Sequence, residues 1–511
     1  MIVAYHSDNK IIEVQSSAQN IDFDANQSIA VVLQRLAVQF PEEIIAWCHI
    51  EYKPNLNIEA ISSLFHHNKM LLSYNPNGNF LNDALGYVED SLFVNVKKDV
   101  RYATWQMSSI VGVIHTSVLL AAKKIKPGKD FDYYLNSVAK IAMPLGLLCY
   151  SEPRLLKNQE SHFSPKADNL TLFRFVKQHY KVQWIFLLLL NFMMYQKRFP
   201  MIAMISALFY KSRTKIPLHL EGIEMSFKDS IAPSVIDVII PTIGRKKYLY
   251  DFLSDLKQQT FLPSNVIIVE QNPMPGSVSE LEYLTEESWP FTIKHTFTQQ
   301  AGVCNARNLA LDQITGEWVF FADDDIRIEP DFIQKTILNI HHISAKAVSI
   351  ACFQKGEKPL CNTIFQWVGF GSGCSFVLAE SLKDCRFSTG YEFGFGEDGD
   401  FGMQLRNQGC DVLYLPQPFI THLKAPIGGF RTKPVLRWQT DVIQPKPSPT
   451  VMLFLLEHRT KQQLFGYKTT LFFKYYKRQK TKNPIQYYNT FQDQWMQSLH
   501  WANVLKNEPS L

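Results

Sequence analysis

Glu317 to Asp325 reads EWVFFADDD. The apolar run ends directly in Asp323, Asp324 and Asp325. A short continuous apolar run is the pattern of a strand buried on both faces, as in a parallel sheet. Three adjacent carboxylates at the end of such a strand raise one another's pKa and oppose folding unless a cation neutralises them. A hard divalent ion with positions left open for phosphate oxygens meets that need. A solvent-exposed Asp-rich turn or helix cap uses the same residues, so the cluster is weighed with its surroundings.

Working outward, Val235 to Ile240 (VIDVII) has the look of a second buried strand, closed by Pro241, Thr242, Ile243 and Gly244. Arg245 to Gln259 follows with Leu249, Phe252 and Leu256 at helical spacing, and Asn265 to Val269 (NVIIV) makes another strand that ends in Glu270. Strand, helix and strand with short connections form a right-handed βαβ unit. Ligands of such sheets sit beyond the carboxyl ends of the strands, which places Thr242, Arg245 and Glu270 on the binding edge. Gly302 to Leu311 reads as a helix carrying Arg307 and Asn308, and Pro330 opens another.

These motifs, in this order, resemble the family-2 glycosyltransferases of GT-A fold over about 200 residues. IIPTIGR (Ile239–Arg245), with Pro241, Thr242 and Arg245, is similar to the family's first nucleotide-binding turn. Glu270 stands where the family places an acid that contacts the nucleoside base. AGVCNARNLAL (Ala301–Leu311) is similar to its arginine-bearing helix, and FADDD (Phe321–Asp325) to its D-x-D motif. The resemblance implies that Asp323 faces the ribose, Asp324 belongs to the donor site, and Asp325 binds Mn²⁺ or Mg²⁺ with the diphosphate. GFGSGCSFVLAESL (Gly369–Leu382), which contains Gly371, resembles the lining of the sugar and acceptor pocket. FGFGEDGDFGMQLRNQGCDVLYLP (Phe393–Pro416) supplies the Glu397–Asp398 pair, in which the aspartate is the family's catalytic base. His422 stands where many relatives carry a metal- or phosphate-binding histidine. The chain departs from the family pattern at Ile243 and Gly244, and in having Glu270-Gln271 rather than paired aspartates, so the base of the nucleotide stays open.

The chemistry implied is inverting transfer of a sugar from a nucleotide-sugar, a UDP-sugar being favoured, to a hydroxyl of a glycan or lipid-linked acceptor in cell-surface polysaccharide synthesis. A cation held by Asp325 and His422 would neutralise the departing diphosphate. Asp398 would take the acceptor proton. Arg307 and Arg245 carry guanidinium forks that match phosphate or base acceptors. Arg431, in a Gly428-Gly429-Phe430-Arg431 segment, is expected on a lid over the diphosphate. Two competing readings are a nucleotidyltransferase, for which the Glu397–Asp398 helix has no job, and a catalytically inactive glycan-binding or scaffold protein.

The remainder bounds the setting. A chain of 511 residues exceeds one ordinary core. A net charge of +5 is too mild to imply nucleic-acid binding. The eight cysteines form no C-x-x-C pair, and the MIVAYHSDNKIIEV start has no basic and apolar signal pattern, so a reduced cytoplasmic protein is expected. Val182 to Tyr195 (VQWIFLLLLNFMMY) falls short of a membrane-spanning length. With Met201 to Tyr210 and flanking Lys177, Lys181, Lys197, Arg198, Lys211, Arg213 and Lys215, it reads as an interfacial pair, peripheral on the inner face of the plasma membrane, the alternative being buried helices that pack one domain on another. Residues 1–165 read as a non-catalytic α/β domain, a decayed copy of the second half. EIIAWCHIEYKPN (Glu43–Asn55) echoes EWVFFADDDIRIEPD, with His49 and Glu51 in place of acids, and GVIHTSVLLAA (Gly112–Ala122) echoes GSGCSFVLAES (Gly371–Ser381). Setting Gly146 against Gly409 puts Tyr134 and Leu135 where Glu397 and Asp398 lie. The organisation expected is 1–165, a helical linker 166–232, a catalytic domain 233–431, and a basic, aromatic helical tail 432–511.

Overall fold

In a computed structural model, the described residues are all but 17–20, 159–163, 224–233, 358, 360, 427–434, 480–482 and 508–511. They form two compact units: Met1–Phe227 with Arg459–Lys474, and Lys228–His458 with Tyr475–Leu511. Arg431 lies outside the described residues.

In the second unit, β8 (Ile236–Ile243), β9 (Asn265–Gln271), β10 (Thr292–Thr298) and β11 (Trp318–Ala322) run parallel in the order β10-β9-β8-β11. The sheet continues through β15 (Cys374–Leu378), β13 (Ala347–Gln354), β16 (Val412–His422) and β12 (Ile326–Arg327), with β14 (Phe365–Gln366) also on β16. β15 is antiparallel to both β11 and β13, while β16 is parallel to β13. The helix Lys246–Lys257 buries Leu249, Phe252, Leu253 and Leu256 at the expected spacing. β8 runs past its expected end and carries Pro241 and Thr242 into the sheet, where Thr242 pairs with Glu270. The helix Val303–Leu311 starts on Gly302, and the helix Glu397–Asn407 starts on Gly396.

The first unit has its own sheet, ordered β2-β1-β3-β6-β4-β7-β5. Its strands are β1 (Ile2–Ser7), β2 (Lys10–Ser16), β3 (Ile44–His49), β4 (Met70–Tyr74), β5 (Tyr102–Ala103), β6 (Val111–His115) and β7 (Leu148–Ser151). From β1 onward the pairing senses are parallel, antiparallel, antiparallel, parallel and antiparallel. The same succession runs from β8 through β11, β15, β13 and β16 to β14. The first unit is therefore a second α/β region of the same topology. A β1–β2 hairpin stands where the other sheet has β8, its helix and parallel β9.

Hydrogen bonds fix the correspondence. The Thr116 amide donates to the Glu43 carbonyl as that of Ala379 does to Glu317, and Leu147 to Ala142 as Cys410 does to Leu405. Gly146 and Gly409, one residue earlier in each case, share left-handed φ values of 96° and 84°. The Ser108 amide donates to Ser73 Oγ as that of Gly371 does to Ser349 Oγ. From 108 to 371, 116 to 379 and 146 to 409 the offset is a constant 263. This corrects one sequence expectation: Gly112 answers to Ser375, so the echo between Gly112–Ala122 and Gly371–Ser381 is four residues out of register. An apolar strand leading into a short helix reads alike when slid by one helical turn, and only the ladder decides. His49 holds the place of Asp323, Glu51 that of Asp325, and Leu135 that of Asp398.

Large side chains fill the core of the first unit. Trp47, wholly buried, lies over Gly112, where an added Cβ would meet its ring at 2.1 Å and the Leu72 carbonyl at 2.6 Å. Gly112→Ala is expected to cost about 3 kcal/mol through overpacking, read as a lower denaturant midpoint. Asp132 accepts from the Ser109 amide at 2.8 Å and Ser109 Oγ at 2.6 Å. Burial pushes its carboxyl up to about 7, against the hydrogen bonds from Ser109. The folded state therefore keeps a proton that the unfolded chain releases, so stability falls as pH rises from about 4 to about 7 and then levels. Asp132→Asn should remove that slope, worth roughly 4 kcal/mol by linkage, in unfolding midpoints followed across pH.

The segment expected as a linker belongs to the first unit. Its helix Asn169–His179 buries Phe173 and Phe175, and Phe175 stacks on Trp105 with ring centroids 5.5 Å apart. The expected tail is divided between the units. In the part that joins the first, Phe465 stacks on Tyr195 at 4.3 Å, and Gln463 Nε2 donates to the Glu89 and Ser91 carbonyls at 3.0 and 2.9 Å. Local sequence pattern announces a helix, but not a partner several hundred residues away.

Candidate active site

The three carboxylates leave β11 on separate errands. Asp324 turns inward: Thr242 Oγ1 and Arg245 Nη1 each donate to it at 2.6 Å, and it is 1% exposed. Burial raises its pKa to about 6 despite Arg245. It is a strut between β8 and β11, and Arg245, 3.5 Å from Asp325 as well, is spent on the same acids. Asp325 accepts from the Ala425 amide at 2.7 Å and lies 3.2 Å from His422 Nε2. Burial opposes its ionisation, but the His422 contact and the Ala425 amide hold it down at about 2. The β12–β16 ladder sets Ile326 opposite His422, which is how a histidine almost a hundred residues away arrives beside Asp325. The same contact raises the histidine's pKa.

Asp323 faces outward, with 36% of its side chain exposed. Gly373 makes room for it: a Cβ there would lie 2.2 Å from a carboxylate oxygen. Arg307 Nη2 reaches Asp323 at 3.3 Å, and its guanidinium lies over the Phe387 ring at 5.3 Å. Its buried Nε has no hydrogen-bond partner among the described residues. Asp398 takes a hydrogen bond from Ser372 Oγ. Burial pushes Asp398 above the usual aspartate range, with Arg307 and Ser372 opposing, and burial followed by the Asp398 charge pushes Glu397 up to about 7. Glu397 is therefore partly protonated near neutrality.

Glu270 turns away from open space. It is 6% exposed, takes hydrogen bonds from Ser279 Oγ and the Glu280 amide, and meets His295 Nε2 at 3.0 Å. Gly371 bonds through its backbone to Ser349 and Ser375. Two residues not singled out in the sequence take part, Ser372 and Glu392. Glu392 accepts from the Cys304 and Asn305 amides, both at 3.1 Å, and so caps the helix that carries Arg307. Gly302, at φ 149°, passes so close that a Cβ would meet this carboxylate at 2.5 Å. Gly302→Ala should therefore cost about 2 kcal/mol and displace Arg307, visible as a lower Tm together with weaker binding of a nucleotide diphosphate. No signal in the sequence pairs Glu392 with a helix some ninety residues earlier.

One oxygen or nitrogen each from Asp323, Asp325 and His422 come within 4.8 Å of one another. Two carboxylates and an imidazole suit Mn²⁺ or Mg²⁺, and the glycine cradle under Asp323 keeps that side open. A second group, Asp400, Glu457 and His458, is internally bonded: His458 Nε2 lies 2.6 Å from Asp400, and Tyr391 donates to Glu457 at 2.9 Å. It fastens the helix Pro449–His458 to the helix Glu397–Asn407. A cavity of about 620 Å³ lined by Leu311, Thr315, Glu317, Leu378 and Arg386 lies toward the amino end of β11 and holds none of the acids described above.

Residues 237–373, which carry β8, the arginine helix and the acid cluster, match the family model for glycosyl transferase family 2. This stretch is similar to the glycosyltransferases of family 2. An uncharacterized glycosyltransferase of Haemophilus influenzae is 31% identical over 103 residues, 20% of this chain and 33% of that protein. The succinoglycan biosynthesis protein ExoM of Rhizobium meliloti is 24% identical over 173 residues, 30% of this chain and 55% of that protein. The chain thus spans about a third and about half of the lengths of these relatives. Among solved structures, S. aureus TarS 1–349 in complex with UDP-GlcNAc aligns at TM-score 0.35 and 17% identity, over 53% of this chain and 88% of that one. GalNAc-T7 with UDP, GalNAc and Mn²⁺ aligns at 0.34 and 11%, over 44% and 48%. The family match ends at Gly373, and Asp398 and His422, beyond it, join the acid cluster through the sheet and helix geometry.

Proposed function

We propose that this protein is an inverting glycosyltransferase that moves a sugar from a nucleotide-sugar, a UDP-sugar first among candidates, to a hydroxyl of a glycan or lipid-linked acceptor. The observation that carries the reading is the convergence of Asp323, Asp325 and His422 with Arg307, whose Nε lacks a partner among the described residues. Asp323, Asp325 and His422 would hold Mn²⁺ or Mg²⁺. When bound, the cation supplies charge neutralisation to the departing diphosphate.

The chain's own residues do the rest. Arg307 binds diphosphate oxygen through its fork, held over Phe387 and fixed by the Glu392-capped helix. Asp398, oriented by Ser372, takes the acceptor hydroxyl's proton as that oxygen attacks the anomeric carbon from the face opposite the leaving group. One displacement inverts that centre. Glu397, partly protonated near neutrality, adds in that form a hydrogen-bond donor without a second negative charge beside the phosphates. ExoM, a succinoglycan biosynthesis protein, supports polysaccharide synthesis as the setting. We place the reaction on the cytoplasmic side, where all eight cysteines, free thiols here, stay reduced.

The test is donor turnover across a panel of nucleotide-sugars with Mn²⁺, Mg²⁺ or a chelator. Cation-dependent turnover of one donor is expected. Absence of binding by every nucleotide-sugar in the presence of cation would overturn the reading in favour of an inactive glycan-binding or scaffold protein.

A further inference from the structure

Between Asp168 and Glu221 the chain has no acidic residue, yet it has eight Lys and Arg. Within that stretch, the helix Gln183–Asn191 runs into a π-helical turn, Phe192–Gln196, and the helix Met201–Leu208 follows. None of the described helices is long and apolar enough to cross a membrane.

Both helices are apolar on two sides. One side does ordinary core work: Ile185, Leu188 and Leu189 are buried in the first helix, and Ala203, Met204 and Ala207 in the second. The other side is equally apolar and faces outward. Phe186 is 51% exposed, Met193 44%, Phe199 57%, Ile202 81%, Ile205 47% and Phe209 84%. Phe186 and Met193 lie seven residues apart, and Ile202, Ile205 and Phe209 lie at i, i+3 and i+7, so each set forms a stripe. A helix apolar all round belongs in an apolar medium, and here only half of each helix has one. Exposed apolar area of this kind marks an interaction surface.

The charges select the occupant. Lys181, Lys197, Arg198, Lys211 and Lys215 are all exposed around these helices. Lys197, at φ 56°, ends the first helix in a left-handed turn and places two bases and Phe199 at the connection. A rim of one sign around an apolar face matches an anionic lipid surface, which takes side chains into its acyl boundary and attracts bases to its headgroups.

We propose that the segment from Lys181 to Lys215 docks the first unit peripherally on an anionic membrane. This goes beyond the transferase reading and is independent of it, because none of these residues belongs to the catalytic site.

The experiment is co-sedimentation of the full chain with phosphatidylcholine vesicles and with vesicles that also contain phosphatidylglycerol, at low and high salt. Variants Ile202→Ser/Phe209→Ser and Lys197→Glu/Arg198→Glu are run beside the wild type, with thermal unfolding as the folding control. The wild type is expected to bind the anionic vesicles and to weaken at high salt. Each double variant should bind at least about tenfold more weakly while retaining the wild-type Tm and the wild-type turnover of soluble donor. Equal binding to both vesicle types, undiminished binding by the variants, or no binding by the wild type would overturn the proposal. So would concentration-dependent self-association without vesicle binding that the apolar variant abolishes, which would assign the face to a second copy of the chain. Because vesicle binding is read without any donor, its failure is separable from failure of the transferase assignment.

Discussion

Asp398→Asn is expected to lower sugar transfer by about 10²- to 10⁴-fold while nucleotide-sugar binding stays within about twofold. The amide keeps the shape of the side chain and can still accept from Ser372, so the helix Glu397–Asn407 is left in place. What disappears is the capacity to take the acceptor proton. The loss should fall on kcat, with little change in the donor's KM. The pH profile gives a second readout. Burial pushes Asp398 and its neighbour Glu397 up, so wild-type kcat/KM should climb with an apparent pKa above the ordinary aspartate range. That value belongs to the coupled pair rather than to either residue. The residual activity of Asp398→Asn should lose that limb. An unchanged kcat would remove Asp398 from the reaction.

Asp325→Ala is expected to weaken Mn²⁺ or Mg²⁺ binding at least about 100-fold and to abolish cation-dependent donor binding with it. The effect is large because Asp325 meets His422 and the Ala425 amide as well as standing in the cation cluster. Asp325→Asn separates the roles, since the amide can still accept from the Ala425 amide while carrying no charge. Direct cation titration by calorimetry should then show weakened binding in a protein with near-normal Tm. The outcome that would sink the assignment is cation affinity retained in both variants.

Much of the second unit was legible in sequence because its determinants are local. Buried strands are short apolar runs, and the βαβ spacing and the Asp cluster lie within segments that can be read by eye. β8 ran longer than its apolar run because backbone pairing with β9 carries on through Pro241 and Thr242, which hydrophobicity does not register. Within the site, residue types were visible but their directions were not. Asp324 and Asp325 follow Asp323 by one and two positions, yet only tertiary contacts set one against Thr242 and Arg245 and the other against His422. Glu392 and Ser372 act on groups 88 and 26 residues away, a separation no local pattern encodes. The first unit was legible as an echo, but its register came only from hydrogen bonds, because apolar strands slide past one another without altering their composition.

The offset between the halves is 274 at Glu43, 276 at Ser73 and 263 from Ser108 onward, so they differ in connecting lengths while keeping one ladder. The two units share strand order, pairing senses and left-handed glycines at Gly146 and Gly409. Backbone ladders tolerate nearly any apolar side chain, so one architecture accommodates two different sets of side chains. The chemistry proposed for the second unit hangs on a few positions, and the first unit has His49, Glu51 and Leu135 in the corresponding places. A search for further copies of this architecture should therefore compare connectivity rather than acidic motifs, because the ladder does not depend on the carboxylates.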